Sequence, residues 1–254
     1  MPENKLIDLI DIVKKLRIEC PWDREQTFDS LKAQTLEETY EVIEAIEDKD
    51  WNELKKELGD LLLHVVFYAV MSEEEKRFKM DEVIESVNEK LIRRHPHVFG
   101  DAAVSGTEEV KQNWEAIKLQ EGRKSVLEGV PRSLPGLQRA ARLQDKASKV
   151  GFDWEKKEDV WEKVVEEINE MQEMEKAGDT ENLEKEMGDV FFALVNYCRY
   201  LNINPENALR KTNEKFISRF GYVERQVEKL GKKITESNLE EMDKFWEESK
   251  KEEE

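Results

Sequence analysis

LEETYEVIEAIEDKDWNELKKELGDLLLHVV, residues 36–66, carries two helical patterns joined by a short polar turn, and four acids at fixed spacing: Glu38-x-x-Glu41, fifteen residues, Glu57-x-x-Asp60. Residues 165–195, VEEINEMQEMEKAGDTENLEKEMGDVFFALV, repeat the pattern as Glu167-x-x-Glu170, fifteen residues, Glu186-x-x-Asp189, with corresponding acids 129 positions apart. The neighbours repeat as well: Glu57-Leu58-Gly59-Asp60 answers Glu186-Met187-Gly188-Asp189, and Asn88-Glu89-Lys90 answers Asn213-Glu214-Lys215. With acids at 59 of 254 positions, spacing alone carries a real false-positive risk. The glycine before the last acid and the basic helix segment downstream, present in both copies, mark an internal duplication.

Working outward, apolar periodicity is helical almost throughout. Leu6, Leu9, Ile10, Val13 and Leu16 define a first helix, which the Cys20-Pro21-Trp22-Asp23 turn ends. The second helix, 29–48, turns Leu31, Val42, Ile43 and Ile46 inward, and the third, 51–71, does so with Leu54, Leu58, Leu61, Leu62 and Val65. Their short connection makes these two antiparallel neighbours. A fourth helix starts near Asp81 and stops by His95, because the residue before a proline is pushed out of helical geometry. Thr107 caps a fifth, holding Trp114 and Ile117, and the Gly- and Pro-rich stretch 122–136 reads as a linker. Helices at 137–150, 158–177, 180–201, 205–230 and 239–251 pass over the same plan again. No segment alternates long enough for a sheet. The expected fold is all-α: two tandem antiparallel helical-bundle modules, 1–121 and 137–254.

Composition narrows the function. Against 41 basic residues stand 59 acidic ones, and a net charge of -18 repels nucleic acid backbones and anionic membranes. No apolar run approaches the roughly 18–20 residues of a membrane span, and the amino terminus is charged and amphipathic rather than a signal peptide, so a cytoplasmic location is expected. Cys20 and Cys198 form no C-x-x-C pair and read as free thiols. Neither a P-loop motif nor any G-x-G occurs, so phosphate handling must come from metal and side chains.

Residues three apart share a helix face, so each Glu-x-x-Glu and Glu-x-x-Asp is a rung of two carboxylates, and antiparallel helices set the rungs facing. Four such groups repel one another strongly unless protons or cations intervene. Hard oxygen donors suit Mg²⁺, with Mn²⁺ a substitute, whereas di-iron bundles need Glu-x-x-His, and none of His64, His95 and His97 follows a Glu by three. Gly59 and Gly188 each sit mid-helix at a cost of about 1 kcal/mol against alanine, best explained where a ligand or another backbone comes close. Downstream, Asn88, Lys90 and Arg94, and again Asn213, Lys215 and Arg219, offer the point charge and fork that phosphate oxygens require. Trp114 with Lys118, and Trp246 with Lys250, close the modules; each tryptophan is either core or a ligand contact. Trp22 and Trp154, each beside an aspartate, are ambiguous in the same way, as walls for a base. His64, for which the second copy has Ala193, reads as structural or as an auxiliary phosphate contact. The acids fit metal-assisted hydrolysis of a phosphoester or phosphoanhydride, in which Glu38, Glu41, Glu167 or Glu170 takes the proton of the attacking water. They equally fit an acidic interaction bundle, or a metal-binding regulatory bundle without turnover.

The motifs Cys20-Pro21-Trp22-Asp23, Leu36-Glu37-Glu38-Thr39-Tyr40-Glu41, Glu57-Leu58-Gly59-Asp60 and Arg93-Arg94-His95-Pro96-His97-Val98-Phe99 closely resemble the MazG family of all-α nucleoside triphosphate pyrophosphatases, and the likeness spans the chain. The resemblance implies hydrolysis between the α and β phosphates of NTPs and dNTPs, giving a nucleoside monophosphate and pyrophosphate, in a house-cleaning role, by a homodimer. It implies Mg²⁺ on Glu38, Glu41, Glu57 and Asp60 in the first module and on Glu167, Glu170, Glu186 and Asp189 in the second. Lys215, Arg219 and Trp246 match the family's substrate contacts. The second module lacks the Arg-His-Pro-His run and the Cys-Pro-Trp-Asp turn, so the two sites need not share a substrate.

Overall fold

The computed structural model describes residues 5–107, 109–110, 113–114, 117, 121 and 125–252. Among these no strand occurs, and no helix is long and apolar enough to cross a membrane. The chain divides into two compact units, Met1–Gly106 and Thr107–Glu254. The first holds α1 (Lys5–Glu19), α2 (Pro21–Glu25), α3 (Leu31–Glu47), α4 (Trp51–Glu74), α5 (Met80–Arg94) and α6 (Pro96–Phe99). The second holds α7 (Gly136–Ser148), α8 (Lys157–Ala177), α9 (Thr180–Tyr200), α10 (Pro205–Lys229), a 3-10 turn at Ile234–Glu236 and α11 (Leu239–Glu252). The division falls earlier than the 121/122 boundary expected from the sequence. Part of the expected linker is tied into the second unit, since buried Lys146 of α7 donates from Nζ to the carbonyls of Val126 and Glu128 at 2.9 and 3.2 Å. The expected fifth helix falls where only scattered residues are described, and Lys118 lies outside the described residues.

One turn, built twice, sets the geometry of each unit. In the first, Lys49 sits in the left-handed region at φ 56°, its N–H donates to Ile46 O, and the Asp50 N–H donates to Ala45 O. In the second, Gly178 at φ 70° donates to Glu175 O and Asp179 to Met174 O, the same two bonds 129 positions on. This Schellman arrangement satisfies carbonyls at the end of the outgoing helix. The next residue starts the return helix: the Asp50 carboxylate accepts from Asn52 N and Glu53 N at 3.0 Å, and that of Asp179 from Asn182 N at 3.2 Å. Such N-caps contribute about 1 kcal/mol each. The outcome is two antiparallel hairpins, α3–α4 and α8–α9.

Against each hairpin packs the helix that precedes it. In the first unit Val13 of α1 joins Leu31, Val66, Phe67, Val70 and Met71 in a closed core, and Arg17 ties α1 to α4 through Glu74 at 2.6 Å. The Cys20-Pro21-Trp22-Asp23 turn is itself a short helix, α2, pinned by Arg17 Nη1 donating to the carbonyls of Asp23 and Gln26 at 2.7 and 2.8 Å. The second core is made of smaller residues, Val160, Val164, Val190, Ala193, Val195, Val223 and Val227. Ile46, Leu58, Leu62 and Val65, expected to face inward, are exposed, because a hairpin covered on one side leaves its other apolar face bare.

The shared turn separates the cost of its one non-glycine. An L-residue in the left-handed region is strained by roughly 1 kcal/mol, partly offset by the larger unfolded-state entropy of glycine. Lys49→Gly is expected to raise the unfolding temperature by a few degrees, measured by circular dichroism, while Gly178→Lys lowers it.

Candidate functional site

The turn fixes which acids meet. Glu41 and Glu57 lie eight residues on either side of Lys49, and Glu38 and Asp60 eleven. Glu170 and Glu186, and Glu167 and Asp189, stand in the same relation to Gly178. In an antiparallel hairpin these pairs lie at two levels about 4.5 Å apart along the axis, one helical step of three residues. Glu38, Glu41 and Glu57 accordingly bring an oxygen each within 4.8 Å of one another, as do Glu167, Glu186 and Asp189. The fourth acid of each set is close by, since Asp60 acts on Glu38 and Glu170 on Glu186.

This crowding shows in the protonation equilibria. Burial, then hydrogen bonds shared with Glu41 and Glu53, push the Glu57 carboxyl up to about 7. Removal from water and the charges of Glu41 and Asp60 raise Glu38, and removal from water followed by Glu170, Asp189 and Glu167 raises Glu186. Three converging carboxylates held at this cost, with no soft donor among them, fit a hard divalent cation. The second unit carries a further cation of its own. Lys163 Nζ lies 2.7 Å from Glu167 Oε1 and 2.9 Å from Glu166 Oε1, and these bonds raise its pKa. The equivalent first-unit position is Gln34. Lys163 was not among the expected site residues, because a search for features common to both copies passes over what only one possesses.

The expected phosphate-binding residues sit on separate helices. Asn88 and Lys90 are exposed on α5, with Arg94 half-buried at its end; Asn213 and Lys215 are exposed on α10. Among the described residues Lys90 and Lys215 make no ion pair with the acids. Arg219 lies over the Trp246 ring at 5.9 Å, and Phe216 packs on the same ring at 5.2 Å, so Trp246 is partly core and partly open. His64 is buried in a polar chain: the Thr35 hydroxyl donates to Leu31 O at 2.8 Å, so at 3.0 Å it accepts from His64 Nδ1–H. A structural role for His64 accounts for these bonds. A Cβ on Gly59 or Gly188 would meet nothing within 4 Å among the described residues, so of the two reasons expected, a close ligand or another backbone, the second is not seen there.

The second unit also contains a cavity of about 440 Å³ whose wall includes Lys163, Glu167 and Asp189 at one end and Phe152 and Trp154 at the other. Of these wall aromatics the sequence had singled out Trp154. Phe152 and Phe192 are the others, and neither Gln144 nor Asn196, also in the wall, carries any signal in the sequence.

Fold and site together define an all-α protein whose helical hairpins each gather carboxylates of the kind that suit a divalent cation, the second of them beside a cavity of small-molecule size. The model of the MazG nucleotide pyrophosphohydrolase domain matches residues 26–99 and again 155–223. The chain is 46% identical to the nucleoside triphosphate pyrophosphohydrolase of Escherichia coli (strain K12), over 98% of both proteins. It is 47% identical to the nucleoside triphosphate pyrophosphohydrolase/pyrophosphatase MazG of Thermotoga maritima, over 96% of this chain and 94% of that one. The chain belongs to the MazG nucleotide pyrophosphohydrolase family.

Glu57 has a pH consequence. Its carboxyl titrates near 7 when folded and near 4.5 when unfolded, so between these values the folded state binds more protons and stability falls as pH rises. Thermal unfolding with chelator is expected to show that decline from pH 5 to 8, and Glu57→Gln to flatten it. Added Mg²⁺ should restore stability at pH 8, since it binds the ionised form.

Proposed function

We propose that the chain is a Mg²⁺-dependent nucleoside triphosphate pyrophosphohydrolase that converts NTPs and dNTPs to nucleoside monophosphate and pyrophosphate. The observation that carries this is the twofold convergence of carboxylates in a chain of this family: each hairpin sets oxygens from two helices within 4.8 Å. Full-length relatives bearing that activity in their names support the same reading. An acidic bundle without turnover is not favoured beside them.

Glu38, Glu41, Glu57 and Asp60 would hold the ion in the first unit, and Glu167, Glu170, Glu186 and Asp189 in the second. When bound, Mg²⁺ supplies Lewis acidity toward the phosphates and lowers the pKa of a coordinated water. Glu41, Asp60, Glu170 and Asp189 are the exposed acids, and in each unit one glutamate of the first rung, Glu38 or Glu41 and Glu167 or Glu170, takes the proton from the attacking water. The ammonium of Lys163, at the rim of the second set, offsets phosphate charge. Asn88, Lys90, Arg94 and Lys118, and Asn213, Lys215, Arg219 and Trp246, are the further substrate contacts, with the cations directed at phosphate oxygens. The bare apolar faces of the hairpins, including Leu58, Leu62, Phe191 and Met187, support assembly as a homodimer, since contiguous exposed apolar surface of this kind marks an interaction site.

With Mg²⁺ the intact chain is expected to release pyrophosphate from NTPs. Chelation should abolish this and Mn²⁺ partly restore it. A chain carrying both Glu41→Ala and Glu170→Ala should lose at least 100-fold in kcat/KM, whereas each single variant retains the other unit's turnover. Orthophosphate in place of pyrophosphate would reject the cleavage site.

A further inference from the structure

The second unit is hollow where the first is filled, and the difference lies at matched positions. Phe67 and His64 are buried in the first unit, Phe67 inside its core; 129 positions on stand Asn196 and Ala193, both in the cavity wall. A larger ring has been replaced by a carboxamide and an imidazole by a methyl group. The resulting space, about 440 Å³, falls within the ~300–1,000 Å³ typical of small-molecule sites.

Its polar groups are few and have fixed sense. Asn196 is 4% exposed; its Oδ1 accepts from Arg199 Nε at 3.0 Å, which sets the sense of the amide and leaves both Nδ2 donors and one Oδ1 lone pair for a ligand. Gln144 is 8% exposed; its Nε2 donates to the Phe192 carbonyl at 2.8 Å, and its Oε1 is buried without a partner. Each carboxamide thus has one end engaged, which orients it and leaves chiefly donors on Asn196 and an unpartnered acceptor on Gln144. Unpaired polar groups in an apolar enclosure are costly, and a ligand that pairs with them is recognised by that relief. Arg199 also binds Asp153, Nη1 to Oδ2 at 2.8 Å, and Tyr200 Oη donates to Asp153 Oδ1 at 2.7 Å. One arginine therefore orients Asn196 and anchors the loop that carries Phe152 and Trp154.

We propose that this cavity receives the nucleobase of the triphosphate, and that Asn196, held by Arg199, is the residue that selects which base enters. A planar ring with donors and acceptors on one edge matches the carboxamides and the aromatic wall, while Lys163, Glu167 and Asp189 at the other end match its polyphosphate and metal. At the matched position of the first unit stands Phe67, whose buried side chain carries no hydrogen-bonding group. This assignment rests on the pyrophosphohydrolase reading above and deepens it.

The test uses the full chain carrying Glu41→Ala, so that turnover comes from the second unit, and pyrophosphate release from ATP, GTP, CTP and UTP with Mg²⁺. Asn196→Asp exchanges donors for an acceptor and is expected to shift the ratio of kcat/KM between the best and worst base by about tenfold or more. Trp154→Ala, on an exposed loop, leaves the buried amide alone and should raise KM several-fold with kcat within twofold; it decides the matter by itself if Asn196→Asp does not fold by circular dichroism. An unchanged base order together with an unchanged KM overturns the assignment. So does an inactive Glu41→Ala chain beside an active parent, which leaves the proposed activity standing. A parent that releases no pyrophosphate from any base overturns both.

Discussion

Like charges held together by a turn are the constraint from which the rest follows. Left to themselves, the acids of Glu-x-x-Glu and Glu-x-x-Asp would point into water, and on isolated helices they would. The Schellman bonds at Lys49 and Gly178 set a register that admits little slippage, because the helix leaves and returns within two or three residues. With that register, acids equidistant from the turn must face each other. The fold holds these carboxyls at a cost, removal from water first and mutual repulsion second, visible in the raised pKa of Glu38, Glu57 and Glu186, and a divalent cation is the kind of group that would relieve it. Binding energy for the metal is thus partly written into the hairpin geometry, and hence into Asp50 and Asp179, far from any chemistry.

Much of this was legible in the text. Helix positions followed from 3.6-residue periodicity, with ends within a few residues of those observed, because caps and prolines act locally. The acid rungs could be placed because spacing of three on a helix is a geometric statement needing no tertiary information. What the text could not supply was tertiary in origin. Ile46, Leu58, Leu62 and Val65 have the pattern of core residues, yet periodicity says which side of a helix is apolar, not whether this chain alone covers it. Gly59 and Gly188 invite a close ligand or another backbone, and among the described residues no backbone comes close. Lys163 is an ordinary i,i+4 partner of a glutamate until its place at the mouth of a cavity is known.

The second unit departs from the first through substitutions that are individually modest. A phenylalanine matched by an asparagine, a histidine by an alanine and a glutamine by a lysine leave the turn and the identity of the four acids unaltered, while changing what lies beside them and which three converge. Even the anchoring of the aromatic loop has been rebuilt, by Arg17 from α1 in one unit and by Arg199 from α9 in the other.

The packed interior of the first unit has a corollary for how such a chain can change over time. Filled volume is unforgiving, so Phe67 and its neighbours have little latitude. Empty volume forgives: residues around the hollow of the second unit can be exchanged without dismantling a close-packed centre. Variation among descendants of this duplication should therefore gather in one half, with its sibling acting as ballast.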